Sequence, residues 1–567
     1  MRAMRDEMAR SLSMQLPGLA KPYFIADRIQ DVNDTSISAT LGGLLTSRRT
    51  RSRVLHVELR AGDYKLDNSN FLALGPFGAG SVSFGASQQI TLDDDYQEIR
   101  RRIWLATDSE YKRALQQFAA KQAALQSQTR GDNLPDFSQE KPNQYFEPAK
   151  VTPADTAQLE GVARAVSAVF RQMPELQTSS VTVNAHNVYT RYLNSEGTEY
   201  KRSNAWVSVE LKAIAQAEDG IPIDDTEQVL FGSPTEIVTA DLAARAARMV
   251  QRMQKLCAAA TLERYNGPVL FENEAGAEVF AQLFAPGLVA SRSPMTDNPQ
   301  AQAFLEQMSS RFGGGSLADK IGGRVLPEFV DIEDNPLLND FHGRRLLGSY
   351  HIDDDGVPSR QNRVVEAGVL KLLLASRTPT SEAPQSTGSH RGLSASLSNL
   401  IFTAKKSSSD QELRRMLLER AKARGSDYGI VVRRAGGSIN EFIQSAMSMA
   451  RGGGPAGNNM VEVFKVYADG REELIHGVQL PSSSPLAFKD IIAVGDNPVV
   501  HDTFFIPGFT SLMMLGLSGD FSSVLDMPVM SYVVPSLLFD EATLKKASGP
   551  FPKPPVSAPP VLNPAGQ

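Results

Sequence analysis

With 567 residues, 41% hydrophobic and 22% charged, the chain has the composition of an ordinary globular protein and the length of roughly two to four domains. Its net charge of −6 and the lack of a basic stripe argue against a nucleic-acid partner, because phosphate binding needs a clustered excess of Lys and Arg. The single cysteine, Cys257, excludes a disulfide framework or a thiolate cluster, and no run of ~18 or more apolar residues is present to form a transmembrane helix.

Met4, Met8 and Leu12 recur every four residues and predict an amphipathic helix ending at Pro17-Gly18. This polar, helix-periodic start is unlike a signal peptide. The compartment stays open: the cytoplasm by default, export if a leader precedes this sequence. Ile25–Asp31 and Ile37–Leu44 read as two strands of a small antiparallel meander. Arg48, Arg49, Arg51 and Arg53 then lead into a strand reaching Arg60, and are read as a turn and solvated strand in preference to a nucleic-acid patch. Asp67–Asn70 and the glycines at 75, 78, 80 and 85 form a loop whose spacing matches no phosphate-binding motif.

From Asp93 to Gln128 the period becomes helical, with Tyr111, Leu115, Phe118 and Leu125 on one face. A polar connection over Gly131–Pro148, a helix over Thr156–Gln172 and a strong hairpin follow, the hairpin turning at Asn194-Ser195-Glu196-Gly197. Ser233-Pro234-Thr235-Glu236 has the chemistry of a helix start, and the helix it opens is expected to reach Leu262. Met253, Leu256 and Cys257 share an apolar run in which the thiol is expected to be buried and inert.

Next come a short apolar strand, Val269–Phe271, and a helix, Glu272–Phe284, with Ala275, Val279 and Leu283 on one face. Beyond Pro286 the texture is Gly-rich and β-like, apart from a helix over Ser409–Arg424. The Pro-rich tail from Gly549 has little to bury and is expected to be disordered. The predicted organisation is α+β. An N-terminal α/β domain covers 1–232, a β-rich domain covers 233–545 with helices at 233–262 and 272–285, and a disordered tail covers 546–567.

Several polar groups carry candidate chemistry. A strand feeding a helix is where zinc peptidases place histidines and a glutamate base. Here the polar residues are Glu272, Asn273, Glu274 and Glu278. Glu274 and Glu278, one turn apart, could seat a hard divalent cation, though a solvated face explains them with less. His351, Asp353 and Asp355 alternate as ligands on a strand would, but Asp354-Asp355-Gly356 is also turn chemistry, and the turn is the preferred reading. Ser386, Ser389 and His390 lack the context of a catalytic serine. Thr387, Gly388 and Arg391 suit a loop that contacts peptide backbone or a carboxylate, and equally a plain Gly-bearing turn. His56, His186, His342, His476 and His501 are scattered without ligand spacing and are read as structural.

Three stretches together resemble the TldD/PmbA family of peptidases and peptidase-like proteins. They are Asp319-Lys-Ile-Gly-Gly-Arg-Val325, then Gly348-Ser-Tyr-His-Ile-Asp-Asp-Asp-Gly-Val-Pro358 with Val364-Val-Glu-Ala-Gly-Val-Leu-Lys371, and Ser386-Thr-Gly-Ser-His-Arg391. Asn194–Gly197 adds weaker support, and the resemblance spans about Pro153 to Thr503. It implies a C-terminal β-barrel-like domain and assembly as homodimers or heterodimers around a peptide-cleaving chamber. It also implies a His-Glu-x-x-x-His zinc helix with a distant cysteine as third ligand. With Gly276 laid on the family's glycine, Glu272 and Ala277 stand at the histidine positions and Asn273 at the glutamate position, while Cys257 precedes the helix.

The resulting expectation is a peptidase-like protein without its own zinc centre, binding no cofactor. It would shape a peptide chamber or partner a TldD/PmbA homologue, handling peptide or unfolded polypeptide. Two alternatives stay open. One is an active metallohydrolase with a divalent metal on Glu272, Glu274 and Glu278 or on His351 and the nearby aspartates, and the other is a non-catalytic binding protein.

Overall fold

The computed structural model describes residues 1–72, 86–127, 133–150, 154–298, 300, 302–303, 316–436, 458–480, 484–505, 527–547 and, in the tail, 551, 555, 557, 559 and 560. The glycine loop at 75–85 and most of the Pro-rich tail lie outside the described residues.

The first half is built on a seven-stranded sheet. Its path runs Ala86–Ile90, Gly43–Ala61, Pro22–Thr40, Thr178–Asn194, Glu199–Gln216 and Gln144–Phe146, and Pro222–Phe231 also pairs with Glu199–Gln216. The two strands expected at 25–31 and 37–44 are one continuous strand, Pro22–Thr40. The polar stretch between them does not break it, because neighbours on both sides pair with it throughout. Asp31 is also held by cross-strand arginines: Arg53 bonds to it, and Arg191 Nη1 donates to its Oδ2 at 2.8 Å. Burial works to raise the Asp31 carboxyl, but the two guanidiniums outweigh it and lower it.

Helices cover one face of this sheet. Arg2–Ser11 buries Met4 and Met8 as the period requires, but it stops earlier than expected, with Leu12 as its exposed C-cap. The chain after it is tied down by Tyr111 of the long helix Tyr96–Ser127, whose hydroxyl donates to Ala20 O at 2.8 Å. Thr156–Ala168, capped by Asp155, tightens into a 3₁₀ turn over Val169–Gln172. The expected helix start at Ser233 is also corrected. Ser233 caps a single 3₁₀ turn, Pro234–Glu236, and Glu236 turns back to accept from Gly232 N at 3.1 Å. Val238 is extended, and the helix proper runs Thr239–Cys257, burying Leu242, Ala246, Met249, Met253 and Leu256. Cys257, its last residue, is half-buried rather than buried, and burial raises its thiol pKa.

The second half contains a nine-stranded and a six-stranded sheet, and its sheet structure is barrel-like and nearly closed. In the larger sheet Arg264–Phe271 lies between Leu537–Lys546, antiparallel, and Tyr428–Arg434, parallel. The smaller contains Val330–Asp334, Asn399–Ala404, Val499–Phe504 and Val529–Val534. The space between is filled by aromatic contacts, with Phe280 edge-on to Phe402 and Phe488 at centroid distances of 5.7 and 5.8 Å. The helix Asp410–Ala423 packs outside, started by a Ser409–Glu412 capping box. The architecture is thus the expected mixture of helices, antiparallel hairpins and a barrel-like C-terminal sheet. Among the described residues no helix is long and apolar enough to cross a membrane.

One buried group in the first half is out of keeping with its surroundings. Asp27 is 1% exposed among Met4, Ile25, Ile29, Val57 and Leu193, and neither carboxylate oxygen has a hydrogen-bond partner. Burial, with Glu7 of the N-terminal helix nearby, pushes its pKa up to about 8. The folded chain therefore holds a proton that the unfolded chain releases near pH ~4. Stability falls as pH rises from there towards 8. Asp27→Asn is expected to stabilise the protein by about 1–3 kcal/mol above pH 8 and to have little effect near pH 4. Urea denaturation at both pH values checks this, and an equal gain at both would contradict it.

Candidate functional site

The central strand Arg264–Phe271 delivers the chain to the position where the family resemblance implies a metal helix. Glu272 N still donates to Val432 O at 2.9 Å, as strand pairing would have it. Asn273 then turns the chain with φ 46°, uncommon for a residue with a side chain, and its N–H donates to Ser536 Oγ at 2.9 Å. The helix expected over 272–285 is shorter and changes pitch. It runs Glu274–Val279 as α, Phe280–Phe284 as π and Ala285–Leu288 as 3₁₀. Ala275, Val279, Phe280 and Phe284 are buried in the barrel core, while Leu283 only packs against it.

The acids of this segment point to opposite sides. Glu272 accepts from Arg414 Nε at 2.7 Å and from Arg433 Nε at 3.2 Å, so both its oxygens are occupied. Glu472 closes the network, taking Arg414 Nη1 at 2.9 Å and Arg433 Nη2 at 2.8 Å. The hydrogen bond to Glu272 is the main cause of a raised Arg414 pKa.

Glu274 and Glu278 instead face His501, which reaches them from the strand Val499–Phe504. Glu278 is buried and accepts from Ala435 N at 2.6 Å, with Arg434 Nη2 3.6 Å away. Glu274 Oε1 lies 3.9 Å from His501 Nδ1 with half its side chain open to water, an ion pair across a gap and not a hydrogen bond. Burial raises the Glu278 carboxyl, whereas the adjoining imidazole lowers that of Glu274 to about 2. Burial disfavours the charged His501, but the surrounding Glu274, Glu278 and Asp502 outweigh it and raise its pKa. Glu278, Gln282, His501, Thr503, Phe505 and Tyr532 line a cleft of about 20 Å³, room for about one water. His501 is the functional candidate that sequence reasoning missed. It is distant in the chain and without ligand spacing, and its one signal is a histidine set in an apolar strand.

The other motif residues converge elsewhere, at the junction with the first sheet. Asp354-Asp355-Gly356 is the expected turn. Asp353 Oδ1 accepts from Asp355 N at 3.0 Å and Val357 N at 2.8 Å, and its Oδ2 accepts from His390 N at 3.1 Å. His390 Nδ1 lies 2.8 Å from Asp355 Oδ1. Asp354 pairs with Arg202 and accepts from Gly392 N at 2.7 Å. Arg377, 1% exposed, grips both oxygens of Glu196 at 2.7 Å. Glu196 belongs to the turn Asn194–Gly197, so the weaker family feature in the first half is tied to the second half by Arg377, which lies between the stretches 364–371 and 386–391. Burial opposes the charged His390, yet the three aspartates raise its pKa to about 9. Burial, with Asp355 beside it, raises Asp353.

Thr387 Oγ1 accepts from Ala375 N at 2.8 Å. Gly388 has φ 72°, and a Cβ there would lie 2.4 Å from Pro358 O. Arg391 Nη1 donates to Val529 O at 3.2 Å, with its guanidinium 4.7 Å from the centre of the Tyr350 ring. His351 packs near Tyr145 at 5.8 Å, while Glu274 and Glu278 face His501, so the three belong to different places. Among the described residues no group of three or more His, Cys, Asp or Glu side chains stands together to hold a metal ion.

The fold is a mixed α/β one with a barrel-like C-terminal sheet and a strand-to-helix site. A family profile described as the PmbA/TldA metallopeptidase C-terminal domain matches residues 264–546. Solved structures share the fold. A protein of Thermotoga maritima described as a candidate modulator of a DNA gyrase has a TM-score of 0.58 at 14% identity, over 96% of this chain and 99% of its own. TldE from Thermococcus kodakarensis has the same score and identity, over 96% and 100%. A candidate modulator of DNA gyrase from Bacteroides thetaiotaomicron reaches 0.54 at 12% identity, over 96% and 98%. No curated protein matches the chain. The chain belongs to the TldD/PmbA family.

The junction makes a stability prediction. Asp354→Asn leaves Arg202 short of its counter-charge in a buried setting and is expected to cost about 3 kcal/mol by urea denaturation at neutral pH. Burial opposes the charge on Asp354, but Arg202, Arg28 and His390 depress its folded pKa below the ordinary value. The contribution is therefore present above pH ~4 and lost below it, so the difference between wild type and variant should shrink on acidification.

Proposed function

We propose that this chain is a TldD/PmbA-family protein without a zinc centre of its own, serving in proteolysis as a peptide-chamber or partner subunit. The observation that carries the reading is the engagement of Glu272. A metal ligand must be turned to the ion and away from competing cations, and each Glu272 oxygen is held instead against a guanidinium, of Arg414 or Arg433, whose positive charge repels a metal ion. Ala277 has no donor atom, and the Asn273 amide has no basic site with which to take a proton from water. The residues present thus do not fit the ion that the family resemblance implies. The expected partners are a second copy or a homologue that carries the intact motif, and the expected cargo is peptide or unfolded polypeptide.

A second reading has an observation in its favour. Glu274 and Glu278 have pKa values moved in opposite directions beside His501, at a cleft, which is the arrangement expected of an acid and a base. In that reading the chain is a hydrolase that has moved its chemistry one turn along the helix.

Peptide-cleavage assays on the chain alone, on a homologue with the motif, and on their mixture separate the two, with native mass spectrometry reporting assembly. The first reading expects no cleavage by the chain alone, no change on Glu272→Ala, and a defined complex in the mixture. Cleavage by the chain alone that is lost in Glu278→Gln and His501→Ala would overturn it in favour of the second.

A further inference from the structure

We infer that the outer edge of the strand Gly43–Ala61 is a docking site for an extended, acidic segment of another polypeptide, taken up as an added β-strand. On its inner side this strand pairs with Pro22–Thr40 almost throughout. On its outer side the described partner, Ala86–Ile90, covers Arg53–Val57 alone. From Thr46 to Ser52, seven residues or ~23 Å at about 3.3 Å each, the outer backbone groups face no described strand.

The charged side chains along this edge are of one sign, and among the described residues none of the three arginines is ion-paired. Arg48, Arg49 and Arg51 are exposed, and their cross-strand neighbours are Ser36, Thr35 and Asn33, none of them acidic. Of the nearby acids, Asp31 is committed to Arg53 and Arg191 and Asp34 to His186 at 2.6 Å, while Glu160 accepts from Ser47 Oγ at 2.6 Å and balances part of the charge at one end of the edge. In a chain of net charge −6 this is a local excess of positive charge on a bonding edge. Just before it, Leu45 at the strand irregularity is 59% exposed.

Edges are guarded against sticking by being short, bulged, interrupted by proline or charged, and here only charge is present, which repels like strands and leaves an acidic one free to add. Between Thr46 and Ser52 this one keeps its register without a shift and contains no proline. A second copy is a poor occupant, because two such edges side by side would oppose arginine to arginine. An acidic strand satisfies both features, its main chain completing the ladder and its carboxylates meeting the guanidiniums. Strand alternation sets the pattern. Arg49 and Arg51 share one face, so the partner should carry carboxylates at alternate positions.

The test is fluorescence polarisation of the full chain with a labelled ten-residue peptide of alternating Glu and Thr at low salt. Three comparisons accompany it: the Gln-for-Glu peptide, the acidic peptide N-methylated at alternate backbone nitrogens, and a single-stranded RNA of similar charge. The acidic peptide is expected to bind. Binding should fall about tenfold or more with Gln, with N-methylation, and in the variant Arg48→Glu/Arg49→Glu/Arg51→Glu. That variant should keep its melting temperature, because the three residues are exposed, and should accept a Lys-for-Glu peptide instead. No binding, equal binding of the N-methylated peptide, or tighter binding of the RNA would overturn the inference. So would a concentration-dependent dimer that the triple variant abolishes.

Discussion

Gly276 lies where a side chain cannot: a Cβ there would sit 2.6 Å from Pro535 O, so the helix after the central strand is pressed against the strand's neighbour. That close approach, with the positive-φ turn at Asn273, sets the direction in which the helix leaves the strand. Glu272 remains with the strand and is aimed at the arginines of the outer helix and of the adjoining strand. Glu274 and Glu278 belong to the helix and are aimed at His501. A metal-binding helix needs its donors on one face. Here the acids are divided between two environments, one closed by arginine and one built around a histidine.

The same economy governs how the two halves meet. The motif loops at 348–358 and 386–391 spend their polar groups on internal bonds, with Asp353 closing its own turn and Asp354 pairing across to Arg202. Arg377 reaches the hairpin turn at Glu196. A buried pair of this kind adds modest net stability while intact, and breaking it is costly, so it favours one relative arrangement of the two sheets over others. Part of what carries the family resemblance, Asp354 and the turn holding Glu196, therefore also joins the first sheet to the barrel.

Much of this was legible in the sequence where local chemistry decides the outcome. The hairpin around Asn194–Gly197, the long helix carrying Tyr111 and the helix near Ser409–Arg424 follow from periodicity and turn residues, and Asp354-Asp355-Gly356 is the turn its composition announced. The failures have a common cause in tertiary pairing. Asp31–Ser36 reads as a break, yet two neighbouring strands and cross-strand arginines keep it extended. Ser233–Glu236 has the residues of a helix start, but Glu236 is diverted to Gly232 and the motif closes after one turn. The pairing of Glu272 with Arg414 and Arg433, and the meeting of His501 with Glu274 and Glu278, join residues more than a hundred positions apart, for which no local spacing exists.

The central claim is that the metal position of the family fold is occupied in this chain by an ion-paired glutamate. It is tested most directly by elemental analysis of the full chain, purified without chelator or affinity metal and then dialysed against zinc. The account predicts zinc far below one equivalent, unchanged in Glu272→Ala. Equimolar zinc that survives dialysis and is lost in Glu272→Ala would contradict it.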